Sequence, residues 1–483
     1  MRKAESGRRQ WEMEVALSIK VCMVLVLVMS LGGVWGGTTE EWKSRTIYQL
    51  LTDRFATTDL STSPCPDFST YCGGTYQGAV KKLDYISNMG FDAIWISPIV
   101  ANTPNGYHGY WAQNIYETNP YFGSGDDLHY FIEQAHARDI WVMLDVVGNH
   151  MGPVDIDELY PFNQSSDYHA CVSECDKYCS IENYQCFQTE IYDCKLAGLP
   201  DLNQTQSSVR SRLLSWIAEV VREYDFDGLR IDTVPEVDPQ FWKEFVDAAG
   251  VYAVGETFTG DVSCVGEYTQ VMGGCLSYPV FFSLRNAFLY GDDGQSLKQL
   301  NYTLQQYATT MRDPYAMGTF IDNHDNARWL SLNAEYIYYK SALAWVVMGQ
   351  GIPIVYYGTE QGYAGGNDPN NREPLWTSKY NEQWSLYEYL QTIVQFRKEW
   401  KVWDFPYTQR ALEDNLLIWT RGPVLVAVTN RKNNIEYQLY DHPYKEGETL
   451  CNIFFSTDCV TIQDGAMPIY LNNGEVKMFQ PVA

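Results

Sequence analysis

At 483 residues the chain can bury a large core and form two or three domains. Its 34 basic residues face 60 acidic ones, and the net charge of −26 excludes nucleic acid and an anionic membrane surface as partners. A neutral ligand suits that balance.

The first element is a targeting signal. Val21 to Leu31 form an almost unbroken apolar run after Lys20, followed by Gly32-Gly33-Val34-Trp35-Gly36. The run is short for a membrane span and right for a secretory leader, with cleavage before Gly37. The leader is ordinary in length if translation starts at Met13, and an uncleaved signal anchor is the alternative. Losing residues 1–36, with five basic and three acidic residues, leaves 29 against 57 and a net charge of −28. The mature chain is then secreted, extracellular or in the lumen of a digestive or secretory compartment. Cysteine usage agrees. Outside the leader's Cys22, eleven remain, with close pairs at Cys65/Cys72, Cys186/Cys194, Cys264/Cys275 and Cys451/Cys459 that read as disulfides. Cys171, Cys175 and Cys179 form an extra group, and the odd total leaves one thiol free or intermolecular. Zinc at that group is the alternative, disfavoured by an oxidising compartment. Asn163, Asn203 and Asn301 begin glycosylation sequons.

From about residue 45 to 400, apolar strand candidates alternate with helical patterns. Strands are expected at 47–55, 93–98, 141–147, 228–234, 251–258, 279–284, 318–322 and 352–357, with amphipathic segments such as 79–89, 127–138, 208–224 and 330–348 between them. Eight β/α units predict a closed (β/α)8 TIM barrel of the α/β class, over 37–150 and 206–405. Residues 151–205, after strand three, are surplus to that alternation. They hold five cysteines and two sequons, and read as a disulfide-rich subdomain inserted on the catalytic face. Beyond 405 the helical pattern stops, and short strands with polar turns predict an antiparallel β-sandwich over 406–483.

Three carboxylates stand where apolar runs end. Asp232 closes Asp-Gly-Leu-Arg-Ile-Asp, Glu256 follows Val-Tyr-Ala-Val-Gly, and Asp325 follows Gly-Thr-Phe-Ile-Asp-Asn-His. In a barrel, chemistry sits at the C-terminal ends of the strands. Acids meeting there suit glycosidic-bond cleavage, and the 15% aromatic content offers flat faces for sugar rings. Arg230, two residues before Asp232, shares its strand face and would keep it ionised, whereas a general acid at Glu256 needs its pKa raised.

With these motifs the chain resembles the α-amylases of glycoside hydrolase family 13, the secreted fungal type in particular. Asp145-Val-Val-Gly-Asn-His150, Gly228-Leu-Arg-Ile-Asp232, Gly255-Glu256 and Asn323-His-Asp-Asn326 look like the family's four signature regions, in order. Tyr107-His-Gly-Tyr-Trp111 and Tyr363-Ala-Gly-Gly-Asn-Asp-Pro369 resemble the fungal type more narrowly. The resemblance implies a retaining endo-hydrolase of α-1,4 bonds in starch and glycogen, acting as a monomer. It makes Asp232 the nucleophile, Glu256 the general acid and base, and Asp325 the transition-state stabiliser. It also implies sugar contacts from His108, Tyr110, Trp111, His150, Arg230, Gly260, His324, Asp368 and Arg372. Calcium is the implied cofactor, with Asn149 and Asp201 as ligands, Glu236 through its backbone oxygen, and Glu190, two residues before the position where the family has an acid, as a further candidate. Two positions depart from the family pattern: Tyr192 stands where an acid is expected, and Pro235-Glu236 where Lys-His is expected. The alternatives are a related α-glucan transglycosylase or maltooligosaccharide hydrolase, and a non-catalytic glucan-binding protein.

Overall fold

The computed structural model describes residues 37–482, so the expected leader lies outside the described residues. Eight parallel strands form the barrel: β1 (Ile47–Gln49), β2 (Ala93–Ile96), β3 (Trp141–Val146), β4 (Gly228–Ile231), β5 (Tyr252–Gly255), β6 (Gly274–Cys275), β7 (Gly318–Thr319) and β8 (Ile352–Tyr356). β1 pairs with both β2 and β8, and the seam between β6 and β7 is closed by a Leu276–Gly318 bridge. The strands are buried on both faces, which is why their sequence shows apolar runs instead of alternation. Period two still sorts the side chains. Ile47, Trp95, Met143, Val254 and Ile354 fill one cluster inside the barrel, while Ile94, Val142, Leu144, Ile231 and Val355 pack against the surrounding helices.

Two strand expectations are corrected. Segment 279–284 is helical, within Tyr278–Leu284, and Pro279 sits in its first turn, where its missing N–H costs no bond. Nearly all of this helix is buried, so no polar stripe marks its period. The sixth strand is Gly274–Cys275, too short to leave a pattern. Gly274 is required there because a Cβ would lie 2.1 Å from the Ala316 carbonyl oxygen. Likewise β1 stops at Gln49, and Thr52–Phe55 turns into a short helix with all four residues buried.

Between β3 and β4 the chain makes loops and short helices before the long helix Ser207–Tyr224. Disulfides Cys171–Cys179 and Cys175–Cys194 lie within this excursion, and Cys186–Cys264 ties it to the helix Val262–Tyr268 after β5. Cys65–Cys72 and Cys451–Cys459 form as expected. The Cys186/Cys194 and Cys264/Cys275 pairings do not. Cys275 is a free thiol buried in β6, whereas Cys264 lies on a helix that meets the excursion.

After residue 405, a six-stranded antiparallel sheet packs on a two-stranded one, Ile435–Leu439 with Met467–Leu471. Strand Leu416–Arg421 is buried on both faces: Leu416 and Ile418 face the sandwich core, while Leu417 and Trp419 join the barrel's core. Trp419 Nε1 donates to the Met348 carbonyl at 3.0 Å, docking the sandwich on the helix Tyr336–Met348.

Candidate active site

The β3–β4–β5 register places Asp145 beside Arg230 and Ile231 beside Gly255, so Asp232 and Glu256 emerge together at the C-terminal strand ends. Arg230, fully buried, is the hub. Its Nη1 reaches Asp232 Oδ1 at 2.6 Å and Asp145 Oδ1 at 2.9 Å, and its Nη2 lies 3.0 Å from Glu256 Oε2. Asp325, in the loop after β7, lies 3.7 Å from Arg372 Nη2 and 3.4 Å from His324 Nε2. Asp232, Glu256, Asp325, Tyr110, His150 and His324 line one cleft of about 500 Å³. A larger hollow of about 640 Å³ lies beside residues 37–40 and 250–253, at the other end of the barrel, away from these acids.

Burial pushes all three acids upward. Glu256 rises to about 8, with Asp232 and Asp325 adding repulsion and Arg230 opposing. Asp232 rises to about 6: burial outweighs the Arg230 guanidinium, which pulls the other way. Asp325 rises for the same reason, with Arg372 and Arg230 pulling the other way. The order is what matters, since it leaves Asp232 ionised and Glu256 protonated at neutral pH.

The histidines are neutral. Burial drives His150 down to about 4 and holds His324 and His108 well below the usual imidazole value. Gln49 donates to His324 Nδ1 at 2.8 Å, which leaves the proton on Nε2, directed at the Tyr110 hydroxyl 2.8 Å away. Tyr110 in turn donates to Asp145 Oδ2 at 2.7 Å, and its ring stacks on His324 with centroids 5.5 Å apart. Tyr110 is therefore fixed by the site's hydrogen bonds. His150 Nε2 contacts the Tyr110 carbonyl oxygen at 3.2 Å. His108 lies edge-on to Trp111, centroids 4.7 Å apart. Arg372 donates to the Tyr107 hydroxyl at 3.1 Å and pairs with the half-exposed Asp368 at 3.1 Å. Gly260 follows the cleft residues Phe258 and Thr259, and a Cβ there would meet only Phe282 at van der Waals distance.

Asp145 was not singled out by sequence reasoning, although an acid inside the apolar run 141–146 is a signal. It accepts from Arg230, Tyr110 and Trp95 Nε1. Thr233 was also missed: its backbone is left-handed (φ 49°, ψ 50°), which is strained for a β-branched residue, and its N–H donates to Glu256 Oε2 at 3.1 Å.

Below the cleft, three oxygens face one another. The Asn149 side-chain oxygen lies 3.2 Å from Asp201 Oδ1 and 3.3 Å from the Glu236 carbonyl oxygen. Rotating the amide turns both contacts into hydrogen bonds, whereas with its oxygen inward the cluster offers three hard oxygens that suit a cation. His169 Nδ1 holds the other Asp201 oxygen at 2.7 Å. Glu190 does not join them: its Oε1 accepts from the backbone N–H groups of Glu182 and Asn183, in the loop before its own short helix, at 2.6 and 2.8 Å. Among the described residues no group of three His, Cys, Asp or Glu side chains is arranged for a metal. The cluster instead combines one carboxylate, one amide and one carbonyl.

The family description "Alpha amylase, catalytic domain" matches residues 49–397. The chain belongs to the alpha-amylase family. It is a glycoside hydrolase, and it is 36% identical over 468 residues to an alpha-amylase of Saccharomycopsis fibuligera, covering 92% of each chain. It is 35% identical over 470 residues to alpha-amylase 2 of Schwanniomyces occidentalis, covering 92% of this chain and 91% of the other. Among solved structures, an alpha-amylase from Malbranchea cinnamomea superposes with a TM-score of 0.87 at 36% identity, covering 92% of this chain and 98% of that one.

Proposed function

We propose that this chain is a secreted, retaining endo-hydrolase of internal α-1,4 bonds in starch, glycogen and related glucans. The observation that carries the reading is the shared guanidinium. Arg230 touches Asp232 and Glu256 at 2.6 and 3.0 Å, so the two carboxyls flank one position, while their pKa values separate to about 6 and about 8. A retaining mechanism needs its acid and nucleophile only about 5–5.5 Å apart. Glu256 gives its proton to the glycosidic oxygen as that bond breaks, and Asp232 attacks C1 to form a glycosyl–enzyme ester. Water then cleaves the ester, with Glu256 taking the water's proton and regaining its acid form. Asp325, a third carboxylate at the cleft, stabilises the positive charge that develops on the sugar, and neutral His150 and His324 offer donors and acceptors to its hydroxyls.

Asn149, Asp201 and the Glu236 carbonyl would hold calcium, whose preference for hard oxygen ligands their geometry fits. When bound it would join the loops after β3 and β4 to the excursion. Five disulfides support an extracellular setting. The test is a product time course on soluble starch with the wild type and Asp232→Asn. Short oligosaccharides without larger transfer products, and a loss of at least about 10³-fold in the variant, support the reading. Accumulating transfer products would favour the transglycosylase, and an active variant would remove Asp232 from its role.

A further inference from the structure

Two of the three cleft acids are held directly. Asp232, just past β4, sits on Arg230, and Glu256, just past β5, accepts from Thr233 N. Asp325 is different. β7 ends at Thr319, so Asp325 stands well out in the following loop. Among the described residues no hydrogen bond reaches its carboxylate: Arg372 Nη2 is 3.7 Å away, and His324 Nε2, at 3.4 Å, is directed at Tyr110. The backbone therefore sets where this carboxylate points.

Two asparagines set that backbone. Asn323 Oδ1, within the loop, accepts from the N–H groups of Asp325 and Asn326 at 3.2 and 3.0 Å. Asn371, in the loop after β8, is fully buried, and its Nδ2 donates to the carbonyls of His324 and Asn326, both at 2.9 Å. The chemistry fixes its orientation, because a carbonyl only accepts. One amide thus spans Asp325 and grips the residue on either side. Asn371 Oδ1 finds no protein partner, so burying this amide costs stability, and the grip on the loop is what it provides. Asn371 is anchored in turn. Tyr356 on β8 donates to its carbonyl at 3.1 Å, and the buried Arg54 donates to the Arg372 carbonyl at 3.0 Å. A line of hydrogen bonds runs from the barrel wall through Asn371 to the peptide units around Asp325.

We propose that Asn371 is a positioning residue for the reaction, aiming the Asp325 carboxylate at the positive charge that develops on the sugar. This rests on Asp325 being the stabilising carboxylate of the proposed hydrolysis. The charge it meets exists only in the transition state, so displacing it lowers kcat and leaves KM. Without Asn371 two buried carbonyls lose their donor, and the loop moves to satisfy them.

Asn371→Ala tests it on an aryl maltotrioside, alone and combined with Asp325→Ala. Alone, it is expected to lower kcat about 10²-fold, the effect of a shift of about 1 Å, with KM within about twofold. In the Asp325→Ala background the same substitution should cost less than about threefold, because the group that Asn371 positions is already gone. A merely structural role would cost the same in both backgrounds. That result, or a loss expressed in KM, overturns the proposal. Asn371→Asp covers the case in which the alanine variant fails to fold, since it keeps the shape and, when protonated, one donated bond. Its loss should be about tenfold and should vanish likewise without the Asp325 carboxyl. An Asp325→Ala variant with normal turnover overturns the parent reading instead, and this inference with it.

Discussion

Glu256→Gln separates the general acid from a merely buried carboxyl, because it has consequences for stability as well as rate. In the folded chain Glu256 holds its proton to about pH 8, against an ordinary value of 4.5. The unfolded chain therefore releases that proton first, and between those limits raising the pH favours unfolding. At about 1.4 kcal/mol per pH unit, this one residue costs the wild type on the order of 3 kcal/mol at pH 7 and well under half of that at pH 5. Glutamine cannot ionise, and its amide oxygen can still accept from Thr233 N. The variant should lose roughly 10²–10⁴ in rate through the missing acid. It should also melt above the wild type, by a gap that widens from pH 5 to pH 8. Paired scanning calorimetry across that range, with starch turnover as the companion assay, checks both. The neighbouring carboxyls raised to about 6, Asp145 and Asp232, are present in both proteins and largely cancel in the difference. A gap that is flat or narrows with pH would refute the claim that Glu256 is held protonated by its surroundings.

Three further outcomes are expected. The pH profile of kcat/KM should be bell-shaped, rising as Asp232 ionises near about 6 and falling as Glu256 loses its proton near about 8; activity still climbing at pH 9 would contradict the assignment. Arg230→Met should cost about 3–5 kcal/mol of stability in chemical denaturation, because Asp145 and Asp232 lose the cation they share. A chelator should lower the melting temperature of the wild type, and Asn149→Ala should remove most of that sensitivity; identical melting curves with and without chelator would exclude a structural calcium at the oxygen cluster.

Much of the barrel is legible because its strands are buried on both faces and appear as apolar runs. The same property causes the error at 279–284. A helix buried all round loses its polar stripe, and a two-residue strand such as Gly274–Cys275 is recognised only by its pairing with β5. Disulfide partners are illegible for a related reason. Cys264 lies closer in sequence to Cys275 than to Cys186, and the Cys275 thiol even reaches the carbonyl of the neighbouring Val265 at 3.9 Å, but the fold brings the excursion's Cys186 to Cys264. Sequence distance says little once the connection leaves its own unit.

The site is legible at Asp232, Glu256 and Asp325 because each acid interrupts or follows an apolar run. It is less so at Asp145, whose meaning depends on a neighbour 85 residues away. That neighbour also explains which acid keeps its proton. Arg230 is one cation among Asp145, Asp232 and Glu256, all nearly excluded from water. Asp145 and Asp232 take the close, aligned bonds from Nη1, and Asp145 adds donors from Tyr110 and Trp95. Glu256 receives a looser contact from Nη2 and one backbone N–H. A single positive charge cannot compensate three buried negatives at this spacing, so one carboxyl must stay neutral; Glu256, buried, held by the looser guanidinium contact and repelled by both Asp232 and Asp325, is the one that does. The proposed division of labour between nucleophile and acid thus follows from burial and from how three carboxyls share one guanidinium.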